Sequence, residues 1–313
     1  MLGKTAGGLY WMFRYLERAE NTARLVEAGF RIALTRSSDA ESDWKSVVTT
    51  AGVDVAYSAN YDGFDAGHVV DFLLRDANNP SSVVSVMTAA RDNARLVRTA
   101  LTTEVWEAVN ETWMTLTELL AEPVAETELP SVLNTIRQQS ALVRGALYGT
   151  MLRNDIYDFS RLGTFIERAD NTARIVNVKY YTLLPSISFV GSSLDNVQWE
   201  MILRSVSAHR AFRWLDEGEM NAPAIANFLL LDRRLPRSLA FCMSQLSSNL
   251  GYLADEYGER HSCHDLADRM YARLKGRTID SVFEEGLHEF VTGFIQDNNR
   301  LGNQIESDFR FAA

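Results

Sequence analysis

The chain has 313 residues, 46% of them hydrophobic, 10% aromatic and 23% charged, with a net charge of −10. That apolar content can bury a large core and excludes a disordered chain, and the acidic balance excludes a general nucleic-acid binder, which needs a basic surface. The low punctuation, 18 Gly and 6 Pro, argues against a β-sandwich, and two cysteines, Cys242 and Cys263, imply no disulfide framework and fit a reducing cytoplasm.

Taken in chain order, Gly7-Gly8 precedes an amphipathic run from Leu9 to about Arg36, which Ser37-Ser38-Asp39 ends. Helix formers resume near Ser42, and a shorter segment runs from Asp65 to Arg75. Asn78-Asn79-Pro80-Ser81 opens a long segment reaching Leu120, two helices if it breaks near Thr102-Thr103. Glu122 to Pro130 reads as a loop, with Ser131 as N-cap of a helix to about Leu152. Asn154-Asp155 leads into a helix that continues to Leu184, stopped by Pro185 and a loop to Ser193. Further helical runs are expected at Asp195–Leu215, Ala222–Leu229, Pro236–Tyr257, His261–Leu274 and Ser281–Asn299. No period-two alternation with hairpin turns occurs, so strands are not expected. The expectation is an all-α single domain over 1–313, a bundle of about ten helices. No apolar run approaches the roughly 18 residues of a membrane span. The start of the chain, with Lys4, Arg14 and Glu17 and no small-residue cleavage site, does not read as a secretory signal.

One signal stands out. Tyr15-Leu-Glu-Arg-Ala-Glu-Asn-Thr-Ala-Arg-Leu-Val-Glu27 recurs as Phe165-Ile-Glu-Arg-Ala-Asp-Asn-Thr-Ala-Arg-Ile-Val-Asn177, with eight of thirteen positions identical at an offset of 150. Duplication is the natural explanation. It predicts two pseudo-symmetric halves, about 1–152 and 153–313.

On a helical wheel at about 100° per residue, Leu9, Met12, Phe13, Leu16, Ala19, Ala23 and Val26 share one apolar arc. Glu20 falls inside it, Glu17 and Arg24 on its border, Asn21 just beyond, and Arg18 points elsewhere. The second copy repeats this with Asp170 inside the arc, Glu167 and Arg174 on its border, and Asn171 matching Asn21. Glu20 and Arg24 have the favourable i,i+4 order for an ion pair. Such charges at a buried edge suit an interhelical ionic network, or a polar cleft for a carboxylate, phosphate or amine, since Arg forks grip anions and paired acids move protons. In either case the two networks are expected to meet.

Other constellations are weaker. Glu285-Gly-Leu-His288 has di-metal spacing, but only Asp65-Ala-Gly-His68 comes near to a second copy. His261-Ser-Cys-His264 reads as a helix start rather than a zinc site. Neither a nucleophile elbow nor a phosphate loop occurs, and no cofactor or metal is implied. Trp106 and Trp113 share one face of a helix beside an acidic row, Glu104, Glu107 and Glu111, a candidate docking face or simply a half-buried helix.

The paired segments Tyr15–Arg24 and Phe165–Arg174 resemble the alpha-E family, a bacterial helical family named for its Glu-Arg motif. Leu9-Tyr-Trp-Met12, Glu104–Asn110 and Phe228-Leu-Leu-Leu-Asp-Arg-Arg-Leu-Pro-Arg-Ser238 add to the resemblance, which covers essentially the whole chain. It implies a helical fold in the bacterial cytoplasm. It also implies a partner, because such proteins are often encoded beside, or fused to, a circularly permuted ATP-grasp protein, with a transglutaminase-like protein nearby. The resulting expectation is a non-catalytic helical partner of an ATP-grasp amide or peptide ligase, acting on neither nucleic acid nor membrane. The alternative is a stand-alone enzyme whose Glu/Arg cleft works on an amide or amino-acid-like substrate.

Overall fold

The computed structural model describes residues 1–35, 40–182, 193–215 and 220–311. Among these the chain is all-α, with fifteen α-helices and one 3-10 turn and no strand. The first half carries α1 (Gly3–Thr35), α2 (Ala40–Ala51), α3 (Asp54–Ser58), α4 (Ala66–Leu74), α5 (Val83–Leu96), the 3-10 turn Arg98–Ala100, α6 (Thr103–Leu119) and α7 (Leu129–Thr150). The second carries α8 (Asp155–Thr182), α9 (Ser193–Ser205), α10 (His209–Arg213), α11 (Ala222–Leu230), α12 (Leu239–Tyr257), α13 (Ser262–Lys275), α14 (Ile279–Glu285) and α15 (Leu287–Asp308).

Six of the starts follow from capping chemistry. Asp65, Ser82, Thr102, Asn221, Ser238 and Thr278 each accept a backbone N–H three residues on, satisfying a donor that the first turn cannot. The helix count exceeds the expected ten because long runs are cut by backbone that periodicity does not reveal. Ser207 at φ 54° separates α9 from α10, and Gly286 at φ 99° separates α14 from α15. The short α3 was not expected at all. Helix α7 begins before Ser131, with Pro130 in its first turn, where a missing N–H costs nothing. The expected breaks at Ser37-Ser38-Asp39 and in the loop after Pro185 lie outside the described residues.

Two helices organise the rest. Helix α1 packs on α8, α5, α7 and α2, and α8 packs on α1, α12 and α15. Their close crossing is set by Gly163, where a Cβ would lie 2.1 Å from the Tyr10 carbonyl oxygen. Helix α1 also starts earlier than expected, running through Gly7-Gly8, and Gly8 lets Val97 pack against it, since a Cβ there would meet Val97 Cγ1 at 2.4 Å. The core forms two apolar clusters. One takes Met12, Phe13, Leu16, Ala19, Ala23 and Val26 of α1 with α2 to α7, and the other takes Ala6, Leu9 and Tyr10 with α8 to α15. No helix among the described residues is long and apolar enough to cross a membrane.

Candidate functional site

The motif residues lie where α1 crosses α8. Their Glu-Arg pairs engage each other across the crossing. Arg168 donates both prongs of its guanidinium to Glu17, Nε to Oε1 and Nη2 to Oε2, each at 2.8 Å. In return Arg18 donates Nε to Glu167 Oε1 at 2.6 Å and Nη2 to Oε2 at 3.0 Å. Bidentate forks of this kind are the strongest charge-assisted geometry that side chains offer. Arg18 therefore does not point away, as its place on the wheel suggested. It leaves the apolar arc of its own helix and reaches the partner helix, a direction that a single-helix projection does not contain.

The first copy is closed. Besides Arg168, Glu17 faces Arg237 Nη1 at 3.2 Å and Arg144 Nη1 at 3.8 Å. Glu20 Oε1 accepts from Arg24 Nη2 at 2.6 Å and from Arg237 Nη2 at 2.7 Å, and Oε2 accepts from Arg144. Asn21 Oδ1 accepts from Arg237 Nη1 at 2.9 Å. Burial alone would raise the Glu17 carboxyl, but Arg168, Arg237 and Arg144 outweigh it and hold it well below the carboxylate range. Glu20 is lowered too, by Arg237, Arg144 and Arg24 against burial and the neighbouring Glu17. Burial and the like charges Arg24 and Arg168 bring Arg237 down to about 10, so it remains protonated at neutral pH.

The second copy is built from fewer cations. Glu167 has Arg18 and, at 3.0 Å from Oε2, Arg14 Nε. These overcome its burial and lower its carboxyl to about 2. Asp170 Oδ2 accepts from Arg174 Nε at 2.6 Å, the counterpart of the Glu20–Arg24 pair. Among the described residues its Oδ1 is buried without a donor, and so is Asn171 Oδ1. Burial raises the Asp170 carboxyl, and Arg174 offsets this only in part. Both residues line a cavity of about 210 Å³ shared with Asn21, Glu167, Arg174 and Ser81.

The arginines added by the fold, Arg14, Arg144 and Arg237, were not singled out from the sequence. Only Arg237 carried a signal, as part of the Leu-Pro-Arg-Ser run; the other two are ordinary helical arginines until α1, α7 and α8 are assembled. A wider cleft of about 760 Å³ opens beside Arg24, lined by Arg31, Arg137, Arg204 and Arg210 among others, with Glu27 and Glu200 paired to these arginines.

The remaining sequence candidates stay apart from this site. Trp106 and Trp113 are half-buried on α6, each under a guanidinium: Arg98 lies 5.1 Å from the Trp106 ring centroid and Arg91 lies 4.1 Å from that of Trp113. Glu104, Glu107 and Glu111 form the exposed side of the same helix. Glu285 and His288 fall on different helices, and His288 Nδ1 meets Asn177 Oδ1 at 2.7 Å. His261 starts α13, its backbone N–H donating to His264 Nδ1 at 2.9 Å. Among the described residues no group of three or more His, Cys, Asp or Glu could hold a metal ion. Cys242 and Cys263 are both buried free thiols.

Uncharacterised proteins of Mycobacterium bovis and of Mycobacterium tuberculosis are each 24% identical to this chain over 300 residues, which is 89% of this chain and 33% of theirs. The chain thus spans about a third of the length of the curated relatives it matches. No solved structure matches it. The model of the Alpha-E family, described as a predicted alpha-helical domain with a conserved ER motif, matches residues 1–309. In this chain the Glu-Arg pair occurs twice, as Glu17-Arg18 and Glu167-Arg168, each supplying the acid that the other's arginine clamps, and the chain belongs to the Alpha-E family.

Proposed function

We propose that this chain is a non-catalytic helical partner of an ATP-grasp amide or peptide ligase in the bacterial cytoplasm, holding the ligase or orienting its substrate. The observation that carries this reading is the saturation of the first motif copy. All four carboxylate oxygens of Glu17 and Glu20 are taken by arginine. Acids held below their ordinary range stay ionised at neutral pH and move no protons, which suits packing rather than turnover. The two halves, about 1–152 and 153–313, are read as duplicated units about a pseudo-twofold axis, with the reciprocal Glu-Arg clamp as the lock between them. The longer mycobacterial relatives support a modular role, since the matched segment there is one part of a larger polypeptide. The family resemblance supplies the ligase, and a transglutaminase-like protein is a further candidate partner. Docking is assigned to the α6 face bearing Trp106, Trp113 and the row Glu104, Glu107 and Glu111.

The test is reconstitution with a circularly permuted ATP-grasp protein from the same genome. The two chains should form a complex, and reversing Glu104, Glu107 and Glu111 to Lys should disrupt it without unfolding this chain. ATP consumption with candidate amino acids should require the ligase. Absence of association, together with amide-bond chemistry by this chain alone, would favour the enzyme reading. The observation on that side is Asp170, a carboxyl raised by burial beside a cavity.

A further inference from the structure

The two motif copies are flanked by matching helix–loop–helix segments. Helices α4 and α11 are each nine residues long, and the helices after them, α5 and α12, each begin nine residues further on. The loops align residue by residue: Phe72-Leu-Leu and Phe228-Leu-Leu, then Asp76 and Asp232, Pro80 and Pro236, and the capping serines Ser82 and Ser238. In this alignment the counterpart of Arg237 is Ser81.

Two differences leave unpaired atoms in the second copy: Ser81 in place of Arg237 leaves Asn171 Oδ1 without a donor, and no arginine among the described residues stands at Asp170 Oδ1 as Arg144 does at Glu20 Oε2. Arg237 gives one Nη to Glu20 and the other to Asn21 Oδ1. The positions equivalent to these acceptors are Asp170 and Asn171, and each has one oxygen buried with no donor among the described residues. Both residues, and Ser81, line the 210 Å³ cavity. A hydroxymethyl group is too short to cross it. Asn21, 3% exposed, lines the same cavity, and its Nδ2 is buried without an acceptor among the described residues. Two unpaired acceptors next to a carboxylate call for a cation with several N–H donors, and the unpaired donor calls for an oxygen on the same molecule. The cavity has room for several waters, and so for a molecule the size of an amino acid. The charge balance agrees. Two acids meet four arginines in the first copy (Arg24, Arg144, Arg168, Arg237) and three in the second (Arg14, Arg18, Arg174), so one further cation reproduces an arrangement the fold already holds.

We propose that this cavity is a binding site for a small guanidinium or ammonium compound of amino-acid size, its cationic head seated on Asp170 and Asn171 where Arg237 sits in the other copy. The site does not depend on a ligase partner. Its occupant belongs to the class of amines and amino acids that an amide-forming reaction consumes, so the two readings can fail separately.

Titration calorimetry on the full chain tests it with three probes: L-arginine, agmatine and L-citrulline, whose urea group keeps the shape of the guanidinium without its charge. L-arginine and agmatine should bind at one saturable site, and L-citrulline at least about tenfold more weakly, the scale of one charged hydrogen-bonded contact. Ser81→Arg supplies the guanidinium from within the chain. It should abolish binding and raise the thermal midpoint, while Ser81→Ala leaves binding intact. Asp170→Asn should weaken binding at least about tenfold, a second readout should Ser81→Arg fail to fold. Equal binding of L-citrulline and L-arginine, no saturable binding of either cation, or unchanged agmatine binding in folded Ser81→Arg would overturn the proposal.

Discussion

The two motif copies share residue types, helix positions and the reciprocal clamp, yet they differ in closure. Among the described residues, every carboxylate oxygen around Glu17 and Glu20 has an arginine, and around Glu167 and Asp170 one oxygen has none. The difference comes from outside the motif. Arg237, at the mouth of α12, and Arg144, on α7, reach the first copy, while Ser81 faces the second. The motif thus encodes the cross-link between α1 and α8, and residues far away in sequence decide whether each end of it is sealed. A sealed end contributes rigidity. An unsealed end keeps a buried, partly compensated charge beside a cavity, which is a common way for a fold to hold a binding site.

The largest effect is expected in acid, which acts on both ends at once. Glu167 is lowered to about 2 and Glu17 lies in the same direction, so their stabilisation is complete above the ordinary carboxylate pKa of 4.5 and is lost as pH falls through the folded values. Asp170 has the opposite sign. Its folded pKa is raised, so its ionised form opposes folding, and that penalty is relieved on acidification. The thermal midpoint should therefore fall steeply below about pH 4.5, and Glu167→Gln should flatten the fall while Asp170→Asn does not. A flat profile in the native chain would break the comparison at its root.

Among single arginine deletions Arg168→Ala is expected to cost most, about 3–5 kcal/mol by urea denaturation, because it removes the bidentate fork from a buried carboxylate that Arg237 and Arg144 approach only at 3.2 and 3.8 Å. Arg18→Ala should cost about 2–3 kcal/mol, since Glu167 keeps Arg14. Arg24→Ala should cost only about 1–2 kcal/mol, because Glu20 retains Arg237 and Arg144. This order reverses the one that the helical wheel suggests, in which Arg18 matters least. Equal losses for Arg18 and Arg24 would show that redundancy does not protect the closed end.

The smallest effect sharpens the contrast most. Asp170→Asn removes a charge that burial disfavours, so in the absence of ligand it should change stability by less than about 1 kcal/mol. Glu20→Gln, at the equivalent position in the closed copy, should cost about 2–3 kcal/mol, because three arginines lose their shared acceptor charge. Similar losses at the two positions would mean that the copies are energetically alike.

The all-α class was legible in the sequence because helical periodicity, caps and scarce breakers act locally; Asp65, Thr102 and Pro130 sit within one turn of the starts they signal. The buried edge of each motif helix was legible for the same reason, since Glu17, Glu20, Glu167 and Asp170 fall at fixed angles to an apolar arc, and all four lie in the network. The repeat told that two such clusters exist. What it could not tell is their wiring. Whether Arg18 meets its own helix or the other one depends on how closely α1 and α8 cross, which Gly163 permits. Whether a carboxylate is sealed depends on Arg144 and Arg237, 124 and 217 residues from Glu20. Local pattern fixes which face of a helix is buried, because that is a property of one helix. Pairing of buried charges is a property of at least two, and only the tertiary structure decided it.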